Sequence, residues 1–364
     1  MTSPAAFGLV GGGWRAQYFL QLAARLPEQL RVAGVVVRRP ELAEAVAKRW
    51  QVPVYLTVSA LVGHEHPTFV LSGVPRSANP DVVATLVDRG VPVLSETPPA
   101  ADLDQLRGLW DRIGGDRLVQ VAEQYPRYPG HAARRELVRR GLVGEPTSVQ
   151  VSSTHDYHAM AIIRSILDVS FAPCAVSASR FVAPLLDPLS REGWTDDTTP
   201  KKATTTLATI DFGGERMGLY DFTDNQWHNQ LRSRRIVIRG SAGEIDGDHV
   251  VRLVGPRNLV RSPLVRHQLG YDLDLDGYDT DRLTFEGQVV YQNAFLGARL
   301  ADEEIALTTL LTAMAVWCAD EGPPPYPLAQ GCQDHLISLA VVESATAGRV
   351  ITTDEEPWHQ SVSS

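Results

Sequence analysis

Four consecutive residues, His155-Asp156-Tyr157-His158, hold the densest reactive chemistry in this chain. Imidazole titrates near neutrality, so a histidine can take up or return a proton at ordinary pH. His158 falls at the start of an expected helix, Tyr157 to Leu167, with Ile162, Ile163, Ile166 and Leu167 apolar. The positive end of a helix dipole tends to keep an imidazole neutral, which favours its base form. His158 is therefore read as the acid–base residue, against a structural or merely orienting histidine. His155 and Asp156 are read as substrate hydrogen-bonders or orienters, and Asp156 could be no more than the helix N-cap. The His155/His158 spacing could also hold a metal, but no matching acid or cysteine cluster accompanies it, and no metal is expected.

A second reactive stretch lies at the other end of the chain. Phe7, Leu9 and Val10 read as the end of a buried strand, and Trp14 to Leu26 as a helix. Between them Gly11, Gly13 and Ala16 have the spacing G-x-G-x-x-A. A strand that turns into a helix through glycines presents free backbone N–H groups and a positive dipole end to a phosphate. Gly11 permits the tight turn, Gly13 lets the backbone approach a pyrophosphate, and Ala16 lets helix pack closely on strand. The loop from Gly11 to Ala16, Trp14 and Arg15 included, is thus a dinucleotide-site candidate. Val32 to Val37 is the next strand, and Arg38-Arg39 follows it where an acid would bind a ribose 2′-hydroxyl. With arginines there instead, Arg38 foremost, NADP is expected, with NAD as second choice.

These residues need elements to hold them. Helices are expected over Glu41–Trp50, Val82–Arg89 and Leu103–Ile113, and strands over Val52–Tyr55, Phe69–Val74, Val91–Leu94 and Leu118–Ala122. This alternation makes residues 1–122 a doubly wound parallel sheet. Ligands bind beyond the carboxyl ends of such strands. Glu96 and Thr97 should therefore flank the nicotinamide, and Gln124, Tyr125 and Glu123 should line the site. Tyr125 and Tyr128 could instead be interdomain packing. His64-Glu65-His66 is expected in a loop, with no third ligand for a metal.

Beyond residue 122 the pattern changes. Pro129–Arg140 reads as a helix and Ser148–Ser153 as a strand. Strand-like runs follow at Ala175–Phe181, Thr204–Phe212, Arg216–Phe222, Arg235–Arg239, Val250–Val254 and Gln288–Tyr291, as expected of an antiparallel sheet. Leu185–Ala203 reads as a mobile loop. Asp221–His228 could reach a substrate, although a solvated turn is the commoner role for such residues. Asp272, Asp274, Asp276 and Gly277 match half a calcium loop, but Leu283 stands where a bidentate Glu is required. Two helices, about 303–318 and 328–347, close a second unit spanning 123–351, and 352–364 reads as a tail.

The 364 residues suggest two domains, and 44% hydrophobic with 21% charged residues is an ordinary globular composition. A net charge of −9 without a Lys/Arg-rich block argues against nucleic acid. Cys174, Cys318 and Cys332 are scattered, as in reduced cytoplasmic proteins. Neither a signal peptide nor a membrane-length apolar run is read.

Taken in order, Gly11–Ala16, Val74-Pro75, Ser95-Glu96-Thr97-Pro98, the Pro129–Glu145 helix and turn, the helix near His158, Ile238–Glu244 and Ala340–Val350 resemble the Gfo/Idh/MocA family, the glucose–fructose oxidoreductase and inositol dehydrogenase group. The resemblance implies an α/β chain: an N-terminal Rossmann domain with Pro75 beside the cofactor, and a C-terminal α+β domain with a large, mostly antiparallel open sheet. It also implies an NAD(P)-dependent oxidoreductase acting on a secondary alcohol of a sugar, cyclitol or related polyol. A homodimer or homotetramer would form through the open sheet. His158 matches the family's acid–base position, and Thr97 also adjoins the substrate. Departures are plain: Thr97 replaces the usual Lys, Asn79 a usual His, and Thr154 and Ala161 the usual acids. A redox-neutral dinucleotide-dependent glycosidase or epimerase, or a non-catalytic dinucleotide-binding protein, are the alternatives.

Overall fold

The computed structural model describes residues 4–114, 117–190, 193–270 and 279–362. The Asp272–Gly277 loop lies outside the described residues. Strands β1 (Ala5–Val10), β2 (Leu30–Val36), β3 (Val54–Tyr55), β4 (Phe69–Ser72), β5 (Val93–Ser95) and β6 (Val119–Val121) form a six-stranded parallel sheet. Their order, β3-β2-β1-β4-β5-β6, is that of a Rossmann fold and reverses beside β1. Helices α1 (Trp14–Arg25), α2 (Pro40–Trp50), α3 (Val58–Glu65), α4 (Asn79–Val87) and α5 (Leu103–Ile113) make the crossovers. The strands are apolar on both faces because helices cover both; Phe7, Leu9, Phe69, Leu71, Val93 and Leu94 have no exposed surface.

The second unit begins with α6 (Pro129–Arg139), β7 (Pro146–Val151) and α7 (Asp156–Leu167). Strands β8 (Ala175–Leu185), β9 (Leu189–Ser190), β10 (Gly193–Trp194), β11 (Lys201–Asp211), β12 (Met217–Thr223), β13 (Ile236–Gly240), β14 (Gly243–Asp246), β15 (His249–Gly255), β16 (Asn258–Gln268), β17 (Thr280–Phe285) and β18 (Gln288–Gln292) follow. Helices α8 (Asp302–Cys318) and α9 (Leu328–Ala347) and strand β19 (Ile351–Thr352) close the chain. An eleven-stranded sheet runs β18-β17-β16-β15-β14-β13-β7-β12-β11-β8-β19. It is antiparallel except where β7 pairs with β12. On β11 the even positions Ala208 and Ile210 are buried against the helices, while Leu207, Thr209 and Asp211 face out. That alternation marks a sheet with one covered and one open face.

Several expectations are corrected. His64 and Glu65 sit in the last turn of α3, not in a loop; Thr57 caps that helix by accepting from the Ala60 N–H. The His64 ring stacks on Tyr55 at 5.6 Å. The stretch 185–203 is not one continuous loop: β8 and β11 pair from Leu185 opposite Lys201, and β9 and β10 form a small ladder, with 186–188 and 195–200 irregular. The described part of the segment from 352 is docked on the fold. Ile351 and Thr352 pair with β8, and Trp358 is fully buried against Trp110, its indole N–H donating to Gln333.

Helix α8 follows the second sheet in sequence yet packs on the first domain. Ile305, Leu307, Leu310, Leu311 and Met314 share a core with Phe7, Leu9, Phe19, Leu20 and Val35. Its charged first turn, Asp302-Glu303-Glu304, is thereby brought to the mouth of the Rossmann sheet. Among the described residues no helix is long and apolar enough to cross a membrane.

Candidate active-site cleft

The turn from β1 into α1 is built for close approach. Gly11 has φ +129°, and a Cβ there would lie 2.4 Å from the Gly73 carbonyl oxygen. Gly13 is the N-cap of α1; it makes no side-chain cap, and a Cβ on it would meet nothing within 4 Å. The start of α1 thus has open space beside Gly13, and the first N–H groups of a helix have no intrahelical partner. Ala16 is fully buried, as close helix–sheet packing requires. At the end of β2, Arg38 and Arg39 are both exposed, and Arg39 is the N-cap of α2.

Asn79 ties neighbouring segments together. It is buried, accepts from the Ser72 hydroxyl at 2.7 Å, and donates to Ser95 Oγ and to the Pro99 carbonyl, both at 2.8 Å. It thus ties the ends of β4 and β5 to the segment carrying Thr97, whose bond to Pro98 is cis. Pro75, in the turn after β4, accepts the Ala78 and Asn79 N–H groups and does not line the main cleft.

Between the two units lies a cleft of about 990 Å³. The first domain lines it with Trp14, Arg15, Tyr18, Glu96 and Thr97, and the segment after β6 adds Gln124 and Tyr125. Helix α7 and the residue before it contribute His158 and His155, the turn after β12 contributes Asn225, Trp227 and His228, and α8 contributes Glu303. The Asp221–His228 stretch thus does reach the cleft. Sequence periodicity could not show this, because a turn's direction depends on the sheet behind it.

Arg15 points into the cleft. Its Nε donates to Glu96 and its Nη1 to Glu303, both at 2.9 Å. Burial opposes its charge, but the two carboxylates outweigh that and raise its pKa. Arg15 is the arginine or lysine among the described lining residues. It supplies positive charge on the side of the cleft where Thr97 offers only a hydroxyl. Sequence reasoning placed Arg15 in the cofactor loop but had no signal for Glu303, which is 288 residues away. Gln124 is buried beside this group.

His158 is held from behind. Its Nδ1 lies 2.7 Å from Oε2 of Glu123, which has no exposed surface. The other carboxylate oxygen accepts the Tyr125 N–H at 2.8 Å. The Tyr125 ring packs 4.3 Å from the His158 ring and 4.8 Å from Tyr128, so it serves both as cleft lining and as packing. Burial pushes His158 down to about 4, with Arg15 adding to the effect. Burial also pushes Glu123 up to about 8. Burial, rather than the helix start, is thus the largest influence favouring the neutral form of His158.

His155 is the N-cap of α7 by backbone conformation, which corrects the N-cap alternative for Asp156. Burial, reinforced by His158, lowers His155 to about 4; its ring packs edge-on against Trp227 at 4.7 Å. Asp156 is the first helical residue at φ +35°, a conformation that a non-glycine residue holds only when neighbours impose it. Its N–H donates to the Tyr220 hydroxyl at 3.0 Å, and that hydroxyl donates to its carboxylate at 3.3 Å. Asp156 lines a smaller recess of about 330 Å³ that shares His155 and Trp227 with the main cleft. The structure thus joins His155 and His158 and turns Asp156 aside.

Comparison with known proteins agrees with this architecture. Residues 5–121 match the sequence model of the GFO_IDH_MocA oxidoreductase family, NAD-binding Rossmann fold. A stretch of 128 residues is 29% identical to the uncharacterized protein YMR315W of Saccharomyces cerevisiae. It spans 34% of this chain and 34% of the yeast protein, so the chain matches about a third of that relative's length. Levoglucosan dehydrogenase in complex with NADH and levoglucosan superposes with a TM-score of 0.68 at 17% identity, covering 97% of this chain and 100% of the other. A myo-inositol dehydrogenase from Corynebacterium glutamicum gives 0.65 at 15% identity, with 97% and 100% covered. An oxidoreductase from Agrobacterium radiobacter in complex with NAD+, L-tartaric acid and magnesium gives 0.69 at 14%, with 96% and 98% covered. Residues 5–121 are thus similar in sequence to the NAD-binding Rossmann domain of that oxidoreductase family. The whole chain shares the two-domain fold of those structures.

Proposed function

We propose that this protein is an NAD(P)-dependent oxidoreductase that interconverts a secondary alcohol and a carbonyl on a sugar, cyclitol or related polyol. The observation that carries this reading is the buried Glu123 carboxyl on Nδ1 of His158. It leaves Nε2 as the ring nitrogen available to a hydroxyl in a cleft that also receives the start of α1. The dinucleotide, when bound on Gly11–Ala16, accepts or supplies the hydride. His158 takes or returns the hydroxyl proton, and its neutral state suits that task. Trp14, Tyr125 and Trp227 offer flat apolar faces to the C–H side of a sugar ring, while His155, Asn225 and His228 offer hydrogen bonds. Arg15 stands in for part of the charge that a lysine at position 97 would bring, although Glu96 and Glu303 offset it.

NADP is the favoured cofactor, because Arg38 is exposed where β2 ends and an acid is missing there. The exposed Phe181 and Leu207 on the open sheet fit a second copy, as a homodimer or homotetramer, in a cytoplasmic protein.

Calorimetric titration with NADP and NAD, followed by turnover on a polyol and sugar panel, tests the reading. Binding of NADP tighter than NAD, a preference reversed in Arg38→Asp, and turnover lost in His158→Ala are the expected results. Lack of binding by either dinucleotide would remove the proposal.

A further inference from the structure

We infer that Glu123 is the inner terminus of a two-residue proton relay, Glu123–His158, whose protonation state makes the cleft-facing nitrogen of His158 either a donor or an acceptor. This rests on the acid–base role proposed for His158. The argument begins with hydrogen-bond bookkeeping rather than titration. Oε1 of Glu123 faces the Tyr125 N–H, which can only donate, so Oε1 is always an acceptor. Any proton carried by the carboxyl must then sit on Oε2, pointing at His158 Nδ1 2.7 Å away. With Glu123 protonated, Nδ1 accepts, and the single ring proton of neutral His158 lies on Nε2. With Glu123 ionised, Nδ1–H donates to it and Nε2 presents a lone pair. One buried proton thus decides which chemistry the cleft meets.

The surroundings make the pair able to work this way. Tyr125 and Tyr157 flank the imidazole at centroid distances of 4.3 and 5.5 Å and hold its plane. Glu123 has no exposed surface, so its proton reaches the cleft through His158. The charged and titratable groups facing Glu123 come from each adjoining element. Glu96 follows β5, Arg15 lies on α1, Tyr157 on α7, Tyr326 before α9 and Asp334 on α9. His158 additionally faces Glu303 and His155. Burial is the largest influence, and it moves Glu123 up to about 8 and His158 down to about 4. The relay therefore switches on the alkaline side of neutrality, while the imidazole stays uncharged.

In alcohol oxidation the hydroxyl proton passes to Nε2 and the Nδ1 proton passes to Oε2 of Glu123. The carbinol C–H leaves as hydride to the oxidised dinucleotide, so the alcohol loses two electrons and the dinucleotide gains them. Carbonyl reduction is the reverse: Nε2–H protonates the oxygen while Nδ1 takes the Glu123 proton. The ionised pair is thus the oxidising form and the protonated pair the reducing form.

The test uses the full chain with 15N-labelled histidine, without cofactor or substrate, from about pH 6 to about pH 10. His158 is assigned by its disappearance in His158→Gln. The expected result is a change from the Nε2–H to the Nδ1–H tautomer with a midpoint near about 8. In Glu123→Gln that change is absent, and in Glu123→Asp its midpoint moves. A single His158 tautomer throughout in the natural protein overturns the relay, as does a switch that persists in Glu123→Gln. Should Glu123→Gln not fold, the natural protein and Glu123→Asp decide the matter. Failure of the redox reading would appear separately, as lack of dinucleotide binding or turnover, and would leave the tautomer result standing.

Discussion

Replacing Arg15 with Met tests how the cleft is held together. Methionine keeps most of the stem that packs near Phe19, whose ring centroid lies 5.1 Å from the guanidinium carbon, but it removes both carboxylate bonds. Hydrogen bonds between charged groups are worth about 1.5–3 kcal/mol each. Arg15 and Glu96 are 16% and 14% exposed, so that bond keeps much of its value; Glu303, at 34%, is partly screened. The loss should be about 2–4 kcal/mol, including the cost of leaving two acids near each other. Unfolding entropy of about 2.1 cal/mol/K per residue makes that about 3–5 °C in a chain of this length. Differential scanning calorimetry measures it. Adding Glu96→Gln should recover about 1 kcal/mol or more, because the stranded charge is removed. His158 should also titrate higher in Arg15→Met, since Arg15 is a cause of its depression. A melting temperature unchanged within about 1 °C, with no recovery in the double variant, would refute the claim that Arg15 clamps α1, the Glu96 segment and α8.

Two further outcomes follow from burial. Trp358→Ala should cost about 3–5 kcal/mol, read as a fall in the urea midpoint, because the indole is fully buried and donates to Gln333; an unchanged midpoint would mean the C-terminal segment is not docked. Acid sensitivity should come from histidines held neutral: burial lowers His131 to about 3 and His155, His158 and His335 to about 4. Their folded pKa values lie below the unfolded one, so the stability they contribute is present above about 6.5 and is lost as pH falls towards about 4. Glu123 has the opposite sign: its folded value is raised, so its contribution is lost as pH climbs from about 4.5 to about 8. Unfolding free energy measured against pH should therefore fall on the acid side, and His335→Gln should flatten that fall; a flat profile between about 6.5 and 4 would contradict it.

What could be read along the chain was whatever depends on neighbours in sequence. The glycine spacing, the continuous apolar strands of β1, β2 and β4, and the helix beginning beside His155 each follow from local backbone geometry and side-chain period. Boundaries were less legible where signals compete. Val58–Glu65 was missed as a helix because its apolar residues show little periodicity and it carries Gly63 and two polar residues at its end. Strands β14 and β16 went unread because exposed sheet positions accept polar residues such as Asp246 and Arg261, and β17 because its buried positions include the polar Thr280, Asp281 and Thr284.

Pairing across the fold is a different matter. Periodicity announces that Ile305, Leu307 and Leu311 are buried somewhere, but not that they pack on Phe7 and Leu9. That docking is what carries Glu303 to Arg15. Likewise Glu123 stood out as a residue at the end of a Rossmann strand, and His158 as a residue at a helix start. Only the packing of α7 against that strand end sets their side chains 2.7 Å apart. The reason is physical: turn chemistry and amphipathic period are properties of a short segment, whereas desolvation and charge pairing depend on the distance between segments. The chain therefore spells out its dinucleotide loop and its histidines directly. Which acid supports which base, and which cation occupies the cleft, is settled when the two units close on each other.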